Sequence, residues 1–226
     1  MAVQHGMPGE WAKVRGTVLS LWPLFLSFTA LGAFATALVL GRCAPLFGAL
    51  LVVTLVFMAV FWRKGLRRIE PFFKGARGEE WTAQVLSALP DEWHVFHDFE
   101  AGHAHVDHVV VGPTGVYSVE TKTWNGSVTV EENEVLVNGR LPSRPPIAQA
   151  LSEAKDVRSA LEKTGWTGEA VPVVCFASNT YAESCSAVKG VTLVNANALV
   201  GWILTRPQAI APNELGRLVQ LMETGV

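Results

Sequence analysis

Residues 102–122, GHAHVDHVVVGPTGVYSVETK, hold two overlapping sets of side chains that could do chemistry. His103, His105, Asp107 and His108 are donors of the kind that bind zinc. Asp107, Glu120 and Lys122 are the types needed for metal-assisted phosphodiester hydrolysis. There, carboxylate oxygens hold Mg2+ or Mn2+ beside a phosphate, and a lysine orients water and offsets charge in the transition state.

The two readings make different demands on the rest of the chain. The His-x-His-x-Asp-His run resembles the signature of the metallo-β-lactamase superfamily, which draws further histidines from distant loops. Here the six histidines are His5, His94, His97, His103, His105 and His108, so the C-terminal half supplies no imidazole. The signature also caps a helix, whereas VVVGPTGVYSV continues this run as a strand. A polar loop leading into a strand is the reading preferred, with stray zinc at His103 and His105 left open.

The second set depends on a hairpin. Val106 to Val111 and Val116 to Thr121 read as strands around the turn signal Gly112-Pro113-Thr114-Gly115. Asp107 and Glu120 are then cross-strand neighbours, with side chains about 5–8 Å apart. Glu120 and Lys122 share a face while Thr121 points away. An even-length loop puts Asp107 on that face too, and a three-residue Pro-Thr-Gly loop shifts it off unless a bulge restores it. Asp107 interrupts an apolar strand, where an ionised carboxylate is costly without a partner or metal. A plainer reading of Lys122 is an exposed ion pair with Glu120, which is worth little.

Around this hairpin, residues 75–89 read as a helix, with Trp81, Val85, Leu86 and Leu89 at helical spacing. Strands are expected at 93–99, 127–130, 134–137, 171–177 and 191–194. Helices are expected from Ile147 onward, at 196–204 and at 213–223. VPVVCFA is apolar throughout, as a strand buried on both faces should be. This order predicts an α/β domain with a mixed sheet flanked by helices.

Four separated blocks resemble the NERD (nuclease-related) domain, itself similar to the PD-(D/E)xK nucleases with their restriction-endonuclease-like fold. They are Gly75-Ala-Arg-Gly78-Glu79; Asp107-His108 with three valines; Gly115-Val116-Tyr117-Ser118-Val119-Glu120-Thr121-Lys122; and Pro146-Ile147-Ala148-Gln149-Ala150. The resemblance covers roughly residues 75–180. It implies metal ligation by Asp107 and Glu120, a catalytic Lys122, an accessory carboxylate in Glu79 and a polar contact from Gln149. It also implies a Mg2+ or Mn2+ cofactor and DNA or RNA as substrate. Glu79 equally complements a helix dipole in a first turn, and Gln149 equally serves the start of its own helix.

The first third of the chain is of another kind. The whole is 50% hydrophobic and only 17% charged, with mean hydropathy +0.28. Residues 16–41 and 43–62 carry no charge except Arg42 in the link between them, and each is long enough to span about 30 Å of hydrocarbon. Two antiparallel transmembrane helices are expected. Lys13 and Arg15 precede them and Arg63, Lys64, Arg67, Arg68, Lys74 and Arg77 follow, which places both termini in the cytoplasm. A cleaved signal peptide fits less well, because a second apolar run follows directly.

The organisation expected is thus a tail (1–15), a membrane hairpin (16–62), a basic linker (63–74), the nuclease-like domain (75–205) and a C-terminal helix (206–226). Residues 75–226 contain ten Lys and Arg against eighteen Asp and Glu, a net −8. That balance does not suit a tight, non-specific nucleic-acid binder. A membrane-anchored nuclease and a catalytically inactive scaffolding module of the same fold are therefore both carried forward. Cys43, Cys175 and Cys185 have no paired spacing and are read as reduced thiols.

Overall fold

A computed structural model describes residues 1–39, 41, 44–61, 63, 66–102, 104–163, 165–178 and 181–224. The chain forms two compact units. One is Trp11–Lys74; the other joins Met1–Glu10 to Gly75–Val226. Leu40, Arg42, Cys43, Lys64 and His103, which entered the readings above, lie outside the described residues.

The first unit contains α1 (Glu10–Val39), α2 (Ala44–Val60) and the start of α3 (Leu66–Leu86). Among the described residues one helix, Glu10–Ala37, is long and apolar enough to cross a membrane. The second apolar stretch among the described residues, Gly48–Val60, is shorter, so one of the two spans expected at 16–41 and 43–62 meets that length. Hydroxyls in these helices fold back on their own backbone: Ser27 donates to Pro23 O at 2.8 Å, and Thr29, Thr36 and Thr54 each donate to the carbonyl four residues back at 2.9 Å. Such back-bonding satisfies a hydroxyl where water is scarce. The stretch expected as a linker is largely helical, since α3 begins at Leu66.

The second unit is an α/β domain around a seven-stranded mixed sheet in the order β1-β2-β3-β4-β7-β9-β8. Its strands are β1 (Val3–His5), β2 (His94–Ala101), β3 (Ala104–Gly112), β4 (Gly115–Lys122), β7 (Ala170–Phe176), β8 (Cys185–Val188) and β9 (Val191–Asn195). Strands β5 (Val128–Glu131) and β6 (Glu134–Val137) form a separate hairpin. Pairing is antiparallel from β2 to β4 and parallel from β4 through β7 to β9.

Alternation along the strands sends side chains to two cores. Val106, Val109, Val111 and Val116 pack under α4 (Pro146–Glu162) and α6 (Pro212–Glu223). Val110, Tyr117, Val119, Val173 and Cys175 pack under the end of α3 and α5 (Ala196–Leu204). Sheet residues are thus covered on both faces, as the apolar run of β7 requires. Helix α6 shares the first core with α4, so the segment after residue 205 belongs with the sheet. Residues 3–5, expected as part of a tail, instead form an edge strand parallel to β2, with Val3, Gln4 and His5 opposite His94, Val95 and Phe96. Trp81, expected on the buried stripe of its helix, is 45% exposed.

Candidate functional site

The hairpin of β3 and β4 closes through a two-residue loop. Gly112 pairs with Gly115, Val110 with Tyr117 and His108 with Val119. Gly115 adopts φ +140°, a value side chains rarely permit, which lets the chain reverse in so few residues. The loop is therefore even, and one step beyond the last ladder pair Asp107 stands opposite Glu120 on the α4 face. At that step Thr121 N–H donates to Asp107 Oδ2 at 2.7 Å.

The opposite side of β3 is irregular at the same level. His97 pairs with His108 and Phe99 with Val106, but Asp98 between them leaves the ladder with φ +48°. Asp tolerates this left-handed region better than most residues, and such departures gather where a sheet is shaped for function. Nothing in the alternating pattern of β2 signals it.

Glu120 is buried, and its partner is the Lys122 ammonium on the same face. Lys122 Nζ also donates to Gln149 Oε1 at 2.8 Å. Gln149 in turn donates through Nε2 to Glu153 Oε1 at 2.8 Å. Four side chains from β4 and α4 thus form one chain of contacts: Glu120, Lys122, Gln149, Glu153. Gln149 and Glu153 are one helical turn apart, so both face the sheet.

Glu79 reaches the cluster from α3, on the other face. Gly78 makes this approach: a Cβ there would lie 2.0 Å from Thr123 Cγ2, just past the end of β4. The glycine of the Gly75-to-Glu79 block is thus a packing requirement. Thr82, one turn on, is bonded to Thr121 Oγ1 at 3.2 Å, which fixes the same helix against β4. Glu79 is buried.

The electrostatics follow from crowding acids together. Burial raises the Asp107 carboxyl well above its ordinary range, and the charges of Glu120, Glu79 and Glu153 push the same way against the Thr121 N–H. Burial, followed by Glu120, pushes Glu153 up to about 8. Glu153 is buried beside Glu120, and a hydrogen bond between the two carboxyls favours the protonated form of Glu153. Lys122 is bonded to Glu120 within this group.

All five residues expected from the sequence, Asp107, Glu120, Lys122, Glu79 and Gln149, are brought to one end of the sheet. Glu153 was not expected. It falls between Ala150 and Ala154 on the buried stripe of α4, and an acid at that position was the available signal. The donor types suit a hard divalent cation. As placed, however, no group of three or more His, Cys, Asp and Glu among the described residues is arranged to hold an ion.

The histidines of the zinc reading go elsewhere. His108 is buried, with Nδ1 2.8 Å from His97 Nδ1, and His105 lies 3.8 Å from Glu100. Trp124 packs against Phe176, with ring centroids 6.1 Å apart. Cys175 and Cys185 are free thiols, and burial pushes Cys175 up to about 12.

A two-faced α/β sheet carrying acids and a lysine at the end of its central strands defines the class of architecture. Comparison with known families narrows it. Residues 74–177 match the NERD family, described as nuclease-related domain. The match runs from α3 to the residue after β7 and includes every member of the acidic cluster. No curated protein and no solved structure matches the chain.

Proposed function

We propose that the second unit is a divalent-metal-dependent phosphodiesterase of restriction-endonuclease-like type, acting on DNA or RNA. The observation that carries this reading is the hairpin register, which sets Asp107 opposite Glu120 with Lys122 on the same face. The match to the nuclease-related family supports it independently. Asp107, Glu120 and Glu79 would hold Mg2+ or Mn2+, which when bound supplies a Lewis acid for the phosphate and a more acidic water. Lys122, steadied by Gln149, offers an ammonium where negative charge grows on the phosphate.

Beside the cluster, exposed Trp81 borders a recess of about 330 Å3 with Phe176, Ser178, Asn195 and Asn197. Trp81 is two residues from Glu79, and Phe176 is the register partner of Lys122. An aromatic face there suits stacking of an unpaired base.

The reading extends to the membrane. The α1 helix is the anchor, and the two apolar helices form a hairpin with both termini in the cytoplasm. The pairing of β1 with β2 supports an even number of crossings. Residues 3–5 and 94–96 lie in one sheet, so a chain that leaves across a bilayer after residue 10 must return before residue 75.

A second reading, a non-catalytic binding module, is favoured by the absence of a ready-made three-donor group among the described residues. Metal-dependent cleavage of labelled DNA and RNA by the full chain in detergent decides between the two.

A further inference from the structure

The carboxyl ends of three parallel strands lie side by side next to the acidic cluster. Lys122 closes β4, Phe176 closes β7 and Asn195 closes β9, and they are successive register partners. Each step across the sheet is about 5 Å. A strand of nucleic acid with a phosphate at Lys122 can thus lay the adjoining nucleotide along this row. The carboxyl edge of parallel strands is also where open α/β sheets bind their ligands.

The recess beside Trp81 opens on this edge. No charged side chain among the described residues lines it, although residues 75–226 carry a net −8. A neutral recess among acids receives a base at less cost than a phosphate. Its floor is fixed in advance. Phe176 is buried between Trp124 and Tyr181, with ring centroids 6.1 and 4.7 Å away. Asn195 Nδ2 donates to Tyr181 O, and its Oδ1 accepts from Asn197 N–H, both at 3.1 Å. The lining residues left exposed are Trp81 and Asn197. An indole offers a π face to any base, and an amide offers a donor and an acceptor to any base edge. In a duplex the neighbouring pairs cover the base faces and the partner strand takes the pairing edge.

We propose that Trp81 and Asn197 hold an unpaired base beside Lys122, and so select single-stranded nucleic acid over duplex. This rests on the nucleic-acid reading above and adds to it the substrate class and two residues outside the Asp-Glu-Lys set. Trp81 stacks on the base and Asn197 meets its edge. Phe176 and Asn195 act through them, as the floor that holds the recess open. The selection is for strandedness and not for sequence, because neither contact separates one base from another.

The test is fluorescence anisotropy of short labelled DNA and RNA oligonucleotides, single-stranded or duplex, with the full chain in detergent and EDTA or Ca2+. Wild type should bind the single strand about tenfold more tightly than the duplex. Trp81→Leu keeps apolar bulk without the π face, and should weaken single-strand binding about tenfold while leaving duplex binding unchanged. Trp81→Phe should retain most of the affinity, a rescue that a merely structural role would not require. Equal binding by wild type and Trp81→Leu, equal affinity for single strand and duplex, or no binding by wild type each overturns the proposal. Cleavage with Mn2+, read separately, keeps the two claims apart. Metal-dependent cutting unaffected by Trp81→Leu leaves the phosphodiesterase standing without this platform. Trp81-dependent binding with no cutting of any substrate sinks the phosphodiesterase and keeps the single-strand site. If Trp81→Leu does not fold, Asn197→Ala replaces it: a selective loss of single-strand affinity supports the proposal, and unchanged affinity overturns it.

Discussion

Thr121 N–H donates to the carboxylate of Asp107 at 2.7 Å, at the point where the backbone ladder between β3 and β4 has ended. A side chain has taken over a strand contact, which fixes Asp107 beside Glu120 while burial and three neighbouring acids disfavour its charge. Asparagine preserves the acceptor and removes the charge. At pH 8 without divalent cation, Asp107→Asn is expected to be more stable than wild type by about 0.5–2 kcal/mol, and to lose metal binding. Chemical denaturation and a Mn2+ titration check both halves; a destabilised variant with intact binding contradicts them.

Gly78 leaves no room for a methyl group against Thr123. Gly78→Ala should therefore push α3 away from β4, at a cost of about 1–3 kcal/mol. Because Glu79 is the next residue, the same shift withdraws a carboxylate from the cluster. Wild-type stability and metal affinity in this variant would show that the close approach is unimportant.

Much of this arrangement was legible in the sequence, for identifiable reasons. Asp107, Glu120 and Lys122 lie on strands whose period of two fixes their faces once the turn is known. The turn itself was ambiguous, because Gly112-Pro113-Thr114-Gly115 can close as two residues or three. The structure resolves it as two. Strands β1 and β8 were not visible: VQH and CSAV are short, and each is held at a sheet edge by tertiary pairing rather than by its own pattern. Glu153 was missed because the apolar stripe of α4 drew attention to its neighbours.

His97 makes stability depend on pH. Burial lowers its pKa from 6.5 to about 4, with Asp98 opposing and His5 assisting. The fold thus prefers the neutral ring. Its contribution is present above pH 6.5, declines as pH falls through that value and is gone below about 4, a total of about 3 kcal/mol. Lowered His108 and His94 act in the same direction. In His97→Gln the denaturation midpoint should fall less between pH 7 and pH 5 than in wild type; an identical slope would assign the acid sensitivity elsewhere.

The first ten residues are structural. Gln4 Oε1 lies 2.7 Å from His97 Nε2, and His5 stacks on Phe96 with centroids 4.3 Å apart. A fragment starting at residue 70 lacks this strand and bares the edge of β2. It is expected to melt several degrees below the full chain, with faster amide exchange in β2. Equal melting temperatures would show that β1 adds nothing.

The central claim is that Asp107, Glu120 and Lys122 form a hydrolytic site. Its most direct measurement is cleavage of labelled single- and double-stranded DNA and RNA by the full chain in detergent, with Mn2+, Mg2+ or EDTA. Wild type should cut at least one substrate only with a divalent cation. Lys122→Ala should reduce the rate by about 10²–10³-fold, and Asp107→Asn should abolish it. A folded wild type that binds Mn2+ but cuts none of the four substrates, or a Lys122→Ala variant that cuts at the wild-type rate, would contradict it.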